Sequence, residues 1–269
     1  MRRSAVLVAL LVVAASRRAT AAEEPPFVVN PNRPTFATPA LTTQEGVVEL
    51  EFGLQRTLAR DGGTAAFTPY LLKLGVLKRL ELRIGGNGLL RLAEGGVPPA
   101  TGYADTTFGV QWSYLKNGPG GFDQAVQLTW KDPTASAAHD LGSGEPDTTL
   151  MVVFSRDFGA FHVDLNALET WLGEPRTAGG GTARQTSATI SVSRTLDDRW
   201  SLTAELYSIG PSPAADRVVS NLWCAGYRVS SRLVLDGGID VGLSHGAQKI
   251  SMFAGLTIGL ARFRHPAVH

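Results

Sequence analysis

The chain has a single cysteine, Cys224, so no intramolecular disulfide can staple it; a small side chain inside a strand is the expected role. It also lacks a charge surplus: 25 Lys and Arg against 24 Asp and Glu leave a formal net charge of +1. That balance gives no reason to expect nucleic acid or a strongly charged partner. After the N-terminal region no long apolar run occurs, which excludes a helical membrane protein, because a spanning helix needs roughly 20 apolar residues. The histidines, His139, His162, His245, His265 and His269, have no ligand spacing. Neither a metal nor another cofactor is expected.

What the chain does have is 30 Gly and 15 Pro, which favour turns and strands over helices, and one pattern repeated from Gly46 to Phe263. Val48-Glu49-Leu50-Glu51-Phe52, Leu80-Glu81-Leu82-Arg83-Ile84 and Phe161-His162-Val163-Asp164-Leu165-Asn166 alternate apolar with polar side chains. Successive strand side chains point to opposite faces, so this is strand periodicity. It predicts strands over 46–57, 66–76, 79–92, 104–115, 122–131, 146–156, 160–171, 185–195, 200–209, 217–228, 233–244 and 250–263. Short and long connections alternate strictly between them. The fold class is therefore all-β: a closed antiparallel up-and-down transmembrane β-barrel of about twelve strands, with short periplasmic turns and longer outer loops. A barrel of this size needs the whole chain, so one domain is expected.

Met1-Arg2-Arg3, the apolar run Ser4 to Ser16 and the small residues Ala19-Thr20-Ala21-Ala22 read as an export signal over 1–22. Arg17 and Arg18 are unusual there, and no Cys follows to make it a lipoprotein signal. The remaining organisation is a periplasmic leader over 23–45, the barrel over 46–263 and a short tail over 264–269. The expected location is the bacterial outer membrane. Its partners there are outer-membrane lipid and the barrel-assembly machinery, through the closing strand that ends at Phe263.

Charges on a lipid face cost a few kcal/mol at mid-depth, so the charged residues are assigned inward. The lumen-lining candidates are Glu49, Glu51, Glu81, Arg83, Asp105, Gln111, Lys131, His162, Asp164, Asn166, Glu205, Asp236 and Asp240. Their mixed signs predict a structural ion-pair network, and no anion or cation selectivity follows from them. Val48, Leu50, Phe52, Leu82, Phe108, Leu150, Leu202, Leu206, Ile239 and Leu256 are assigned to lipid. Trp112, Tyr114, Phe161, Trp200 and Tyr227 fall near short turns, and Trp130 and Trp171 near long loops, as two aromatic girdles require.

Asn32-Arg33-Pro34-Thr35-Phe36, followed by Gln44-Glu45-Gly46-Val47-Val48-Glu49-Leu50-Glu51-Phe52-Gly53, resembles the opening of a group of outer-membrane barrels. These are the transporters of the "MetA-pathway of phenol degradation" family, in which Asp-Arg-Pro-x-Phe precedes a first strand containing Leu-Glu-x-Gly. Leu77-Lys78-Arg79-Leu80-Glu81-Leu82-Arg83, Tyr227-Arg228-Val229-Ser230, Leu235-Asp236-Gly237-Gly238, Val241-Gly242-Leu243-Ser244 and Phe253-Ala254-Gly255-Leu256-Thr257 are similar to later segments of that family. Asn32 stands where the family has Asp, and 264–269 extend past its usual terminal aromatic at Phe263. The resemblance implies an outer-membrane channel for passive uptake of small, often hydrophobic or aromatic molecules. It names no solute.

Several readings stay open at this stage. Gly53, Gly85, Gly109, Gly238, Gly242, Gly255 and Gly259 either make room for a solute or relieve crowding where strands bend. The Pro-rich leader either folds back at the periplasmic opening, giving Phe27, Val28, Val29 and Phe36 an apolar home, or is a disordered segment. The alternatives to a channel are a plugged or structural barrel and a lipid-hydrolysing barrel enzyme. The enzyme would use His162 with Asp164 and Asn166, yet no serine stands in a recognisable nucleophile context, so no catalytic residue is assigned.

Overall fold

A computed structural model describes residues 26–96, 98–175 and 179–263. The expected export signal over 1–22 and the tail over 264–269 lie outside the described residues.

Twelve antiparallel strands close into a barrel. They are β1 (Val47–Leu58), β2 (Thr64–Phe67, resuming as Tyr70–Leu77), β3 (Leu80–Gly86 and Leu89–Ala93) and β4 (Ala100–Tyr103 and Thr106–Leu115). They continue as β5 (Asp123–Asp132), β6 (Asp147–Phe158), β7 (Phe161–Glu174), β8 (Gly181–Thr195), β9 (Trp200–Ile209), β10 (Val218–Ser230), β11 (Leu233–Gly242) and β12 (Ile250–Arg262). Each strand pairs with its sequence neighbour, and β1 pairs with β12 from Val47↔Arg262 to Leu58↔Ile250, which removes both sheet edges. The ladders break along one line at Thr68-Pro69, Asn87-Gly88 and Ala104-Asp105, where Pro69 has no N–H to donate. β4, β7 and β8 continue past the lengths expected from alternation, so the outer loops between β3 and β4 and between β7 and β8 are shorter than the polarity of 93–103 and 172–184 implies.

The two faces separate as the periodicity requires. On β1, Glu49, Glu51 and Gly53 are buried while Phe52 and Leu54 are exposed. On β12, Ser251, Phe253 and Thr257 face inward and Met252 and Leu260 outward. Most exposed large apolar side chains belong to this outer band, where the acyl chains of a bilayer are the solvent. The interior instead buries Lys73, Gln111, Glu49, Glu51 and Glu81 almost completely.

Leu128 stands at the middle of β5 on the outer face, 49% exposed. Leu128→Arg is expected to lose about 2–4 kcal/mol, the usual cost of a cation at the bilayer midplane. Denaturant titration of the barrel refolded in lipid vesicles measures this loss.

Candidate functional site

The barrel is filled by its own leader. The segment from Pro26 to Gly46 forms neither helix nor strand and does not stop at the periplasmic mouth. It enters beside the turn between β10 and β11, where the Val29 N–H donates to the Ser231 carbonyl (2.9 Å). It then climbs along β1. Asn30 N–H donates to the Glu49 carboxylate (3.2 Å), and the Asn32 and Arg33 N–H groups donate to the two oxygens of Glu51 (both 2.8 Å). At mid-barrel the leader crosses the lumen. Glu205 of β9 accepts the Phe36 and Ala37 N–H groups (2.8 and 2.6 Å), and Asn166 of β7 both accepts from Thr38 N–H (2.7 Å) and donates to its carbonyl (2.9 Å). The return passes Ser155 of β6, which accepts from Ala40 N–H, and Glu81 of β3, which accepts from Thr43 N–H.

This geometry follows from one need. A chain without secondary structure carries free peptide N–H groups into a space that excludes water, and each requires an acceptor. Inward carboxylates supply two acceptor oxygens each, and charge-assisted bonds are the stronger kind. Their charge is balanced by few cations. Fully buried Lys73 of β2 pairs with Glu49 (3.1 Å) and Glu51 (2.7 Å) and donates to Asn32 Oδ1 (3.1 Å) and to the Asn30 carbonyl. Arg33 of the leader pairs with Asp236 of β11 (3.3 Å). Arg83 lies 3.5 Å from Glu81 and donates to Gln111 (2.7 Å) and Gln127.

The apolar leader residues find two homes. Phe27 and Val29 pack with Val47 and Val234 at the periplasmic end, and Ala40 packs on Ala125, Met151 and Val153. Phe36 stacks on Tyr207, ring centroids 5.2 Å apart. Four inward glycines make room for this chain rather than for a solute at that depth, whereas Gly85, Gly109 and Gly238 abut neighbouring strands and Gly242 abuts the loop after β11. A Cβ at Gly53 or Gly255 would strike the Arg33 guanidinium, one at Gly259 the Phe27 ring, and one at Gly75 the Gln44 carbonyl.

Beyond the leader, towards the long loops, a cavity of about 380 Å³ remains. Its floor is leader residues Asn32 to Phe36 with Thr38, and its walls carry the rings of Phe67, Tyr207 and Phe253 beside Pro69, Tyr70, Leu71, Ile209 and Leu222. Gln55, Arg83, Asn87 and Asp240 supply polar groups. Asp240 accepts from Tyr207 Oη (2.6 Å), from Gln248 Nε2 (2.7 Å) and from Ser220, which ties the loop after β11 to the wall.

Of the sequence-assigned interior residues, Glu49, Glu51, Glu81, Gln111, Asn166, Glu205 and Asp236 bond the leader directly, with Gln111 donating to the Pro39 carbonyl (2.9 Å). Asp164 reaches it through Ser155 (2.5 Å). Asp105 and Lys131 pair at the outer end (3.4 Å) together with Asp147. Alternation did not single out Lys73, Ser155, Tyr207 or Arg33. Lys73 was detectable as the only cation within the apolar run Tyr70–Leu77.

The aromatic residues assigned to girdles lie outside the leader's network. Trp112 lies 5.8 Å from Tyr114 and Trp200 4.8 Å from Tyr227, while Trp130 stacks on Phe108 and Phe161 and Trp171 are exposed. His162 has one ring nitrogen on Asp157 (2.6 Å) and the other on Asp164 (3.1 Å). Ser155 bonds Asp164 rather than the imidazole, so these residues do not form a nucleophile–base pair.

Among solved structures the chain is similar to an outer membrane channel from Pseudomonas putida F1, with TM-score 0.62 and 13% identity over 86% of this chain and 100% of that one. It is also similar to the NanC porin, with TM-score 0.55 and 9% identity over 79% of this chain and 100% of the other. No family model and no curated protein matches it. The fold is thus that of outer-membrane channels and porins, and with the apolar outer band it places the protein in the bacterial outer membrane.

Two substitutions test the leader's hold. Lys73→Met leaves Glu49 and Glu51 without their cation and is expected to cost about 3–5 kcal/mol, as breaking a buried pair does. Unfolding in denaturant reads that loss. Glu205→Ala strands two leader N–H groups and is expected to expose the leader to limited proteolysis while the barrel keeps its heat-modifiable gel mobility.

Proposed function

We propose that this protein is an outer-membrane channel for passive uptake of small hydrophobic or aromatic molecules, with the leader as a plug that must shift before a solute passes. The observation that carries this reading is the aromatic-walled cavity above the leader. At about 380 Å³ it matches small-molecule sites, which span roughly 300–1,000 Å³ and combine apolar walls with a few polar groups. The motif resemblance to the "MetA-pathway of phenol degradation" family supports the same solute class, and the fold shared with an outer membrane channel supports a channel role without naming a solute. The His162 geometry lends a lipid-hydrolysing role no support. The closing strand that ends at Phe263 is proposed as the segment presented to the barrel-assembly machinery.

The second reading is a permanently plugged structural barrel, favoured by the number of leader bonds. Single-channel recording separates the two. Deletion of residues 27–40 is expected to raise conductance severalfold over the full chain, and an aromatic solute is expected to block the openings. A folded deletion variant that stays silent in planar bilayers would overturn the channel reading.

A further inference from the structure

The outer face at the periplasmic rim carries guanidinium groups that the plug does not use. Arg156 follows inward Ser155 on β6 and so points outward. Its guanidinium carbon lies 4.5 Å from the centroid of Phe158 and 5.6 Å from that of Phe122, and it donates to the Gly120 carbonyl. Arg194 of β8 points outward opposite Phe161 of β7, 5.4 Å from its ring centroid. Neither is ion-paired among the described residues, whereas Arg184, at the other end of β8, pairs with Glu169 (2.6 Å).

Both arginines sit beside short turns, at the depth of the inner-leaflet headgroups. A cation on the lipid face is costly at the midplane and close to free at this level. The rings hold each guanidinium against the wall, which stabilises it there; Arg156 gives one N–H to the Gly120 carbonyl and keeps its other N–H groups for a ligand. The register completes the site. Arg156 pairs with Val163 of β7, and Arg194 with Phe161 of the same strand. The two arginines therefore flank β7 from either side, offset by two residues along it, with Cα atoms about 12 Å apart across two inter-strand spacings. The apolar floor between them is formed by Phe161 and Val163.

We propose that this face binds an anionic glycerophospholipid of the periplasmic leaflet. Its phosphodiester would sit on the Arg194 guanidinium beside Phe161, with Arg156 turned from the Gly120 carbonyl to meet it, and its glycerol and upper acyl chain would lie over Phe161 and Val163. Arginine suits this ligand because its planar fork matches phosphate oxygens and is weakly hydrated. A zwitterionic headgroup brings its own ammonium to a site already holding two cations, so the site selects net negative charge. The inference is independent of whether the channel opens.

The test is native mass spectrometry of the folded barrel released from mixed micelles of phosphatidylglycerol and phosphatidylethanolamine. Retained phosphatidylglycerol is expected on the natural chain, with Arg156→Gln and Arg194→Gln each lowering its apparent affinity about fivefold. Arg184→Gln, at the outer end, is expected to leave it unchanged. Equal retention of the two lipids, or retention unaffected by both rim variants, overturns the proposal. Displacement of the lipid by millimolar inorganic phosphate also overturns it, by showing a free-anion site. If the rim variants do not refold, the salt dependence of retention on the natural chain decides: weakening with salt supports the proposal, and indifference to salt sinks it.

Discussion

Bonds from leader peptide N–H groups to inward carboxylates organise the whole interior of this barrel. The leader brings N–H groups from Asn30 to Thr43 into the lumen, and Glu49, Glu51, Glu81 and Glu205 accept most of them. Carboxylates buried for that purpose demand cations, and Lys73 meets the demand where two of them lie together. Apolar residues take up what is left, against β1 and β11 on one side and against β5 and β6 on the other. Small residues face the leader because it runs close to the wall at Gly53, Gly75 and Gly255.

The same carboxylates make the interior acidic while leaving few oxygens to meet a passing cation. Each spends its oxygens on the leader or on a neighbouring hydroxyl, as Glu205 does with Phe36, Ala37 and Thr189. Charge that is consumed by fixed donors attracts a passing ion weakly. The space left beyond the leader is consequently aromatic in character, with polar groups set singly into it. A solute that displaces Phe36 from Tyr207 would act on the leader at the point where Glu205 holds it.

The wall was legible in the sequence; of the plug, a fold-back at the periplasmic opening was legible and the path through the lumen was not. Alternation has a fixed period, so Glu49, Glu51, Glu81 and Glu205 could be turned inward from their neighbours alone. The extensions of β4, β7 and β8 escaped because Gly, Thr and Ala pair as readily there as they turn, and no lipid-facing demand marks them. The leader's path depends on backbone donors, which every residue carries alike, and on partners 115–169 positions distant for Ser155, Asn166 and Glu205. Nothing periodic announces such pairs. Phe27 and Phe36 could say only that the segment needed burial. Lys73 was passed over because Leu71, Leu72 and Leu74 around it read as ordinary strand, although it is the one cation of that run.

The leader goes up and comes back, so Pro26 and Val47 both lie at the periplasmic end, with Gln44 Nε2 donating to the Pro26 carbonyl (3.2 Å). Topologically the plug is a bight, not a thread. It can leave the barrel through the mouth by which it entered, with β1 still paired to β12 along its length and no free end drawn through the pore. Opening and closing therefore require no rupture of the wall, and the barrel can close during assembly around a loop already carried on its first strand.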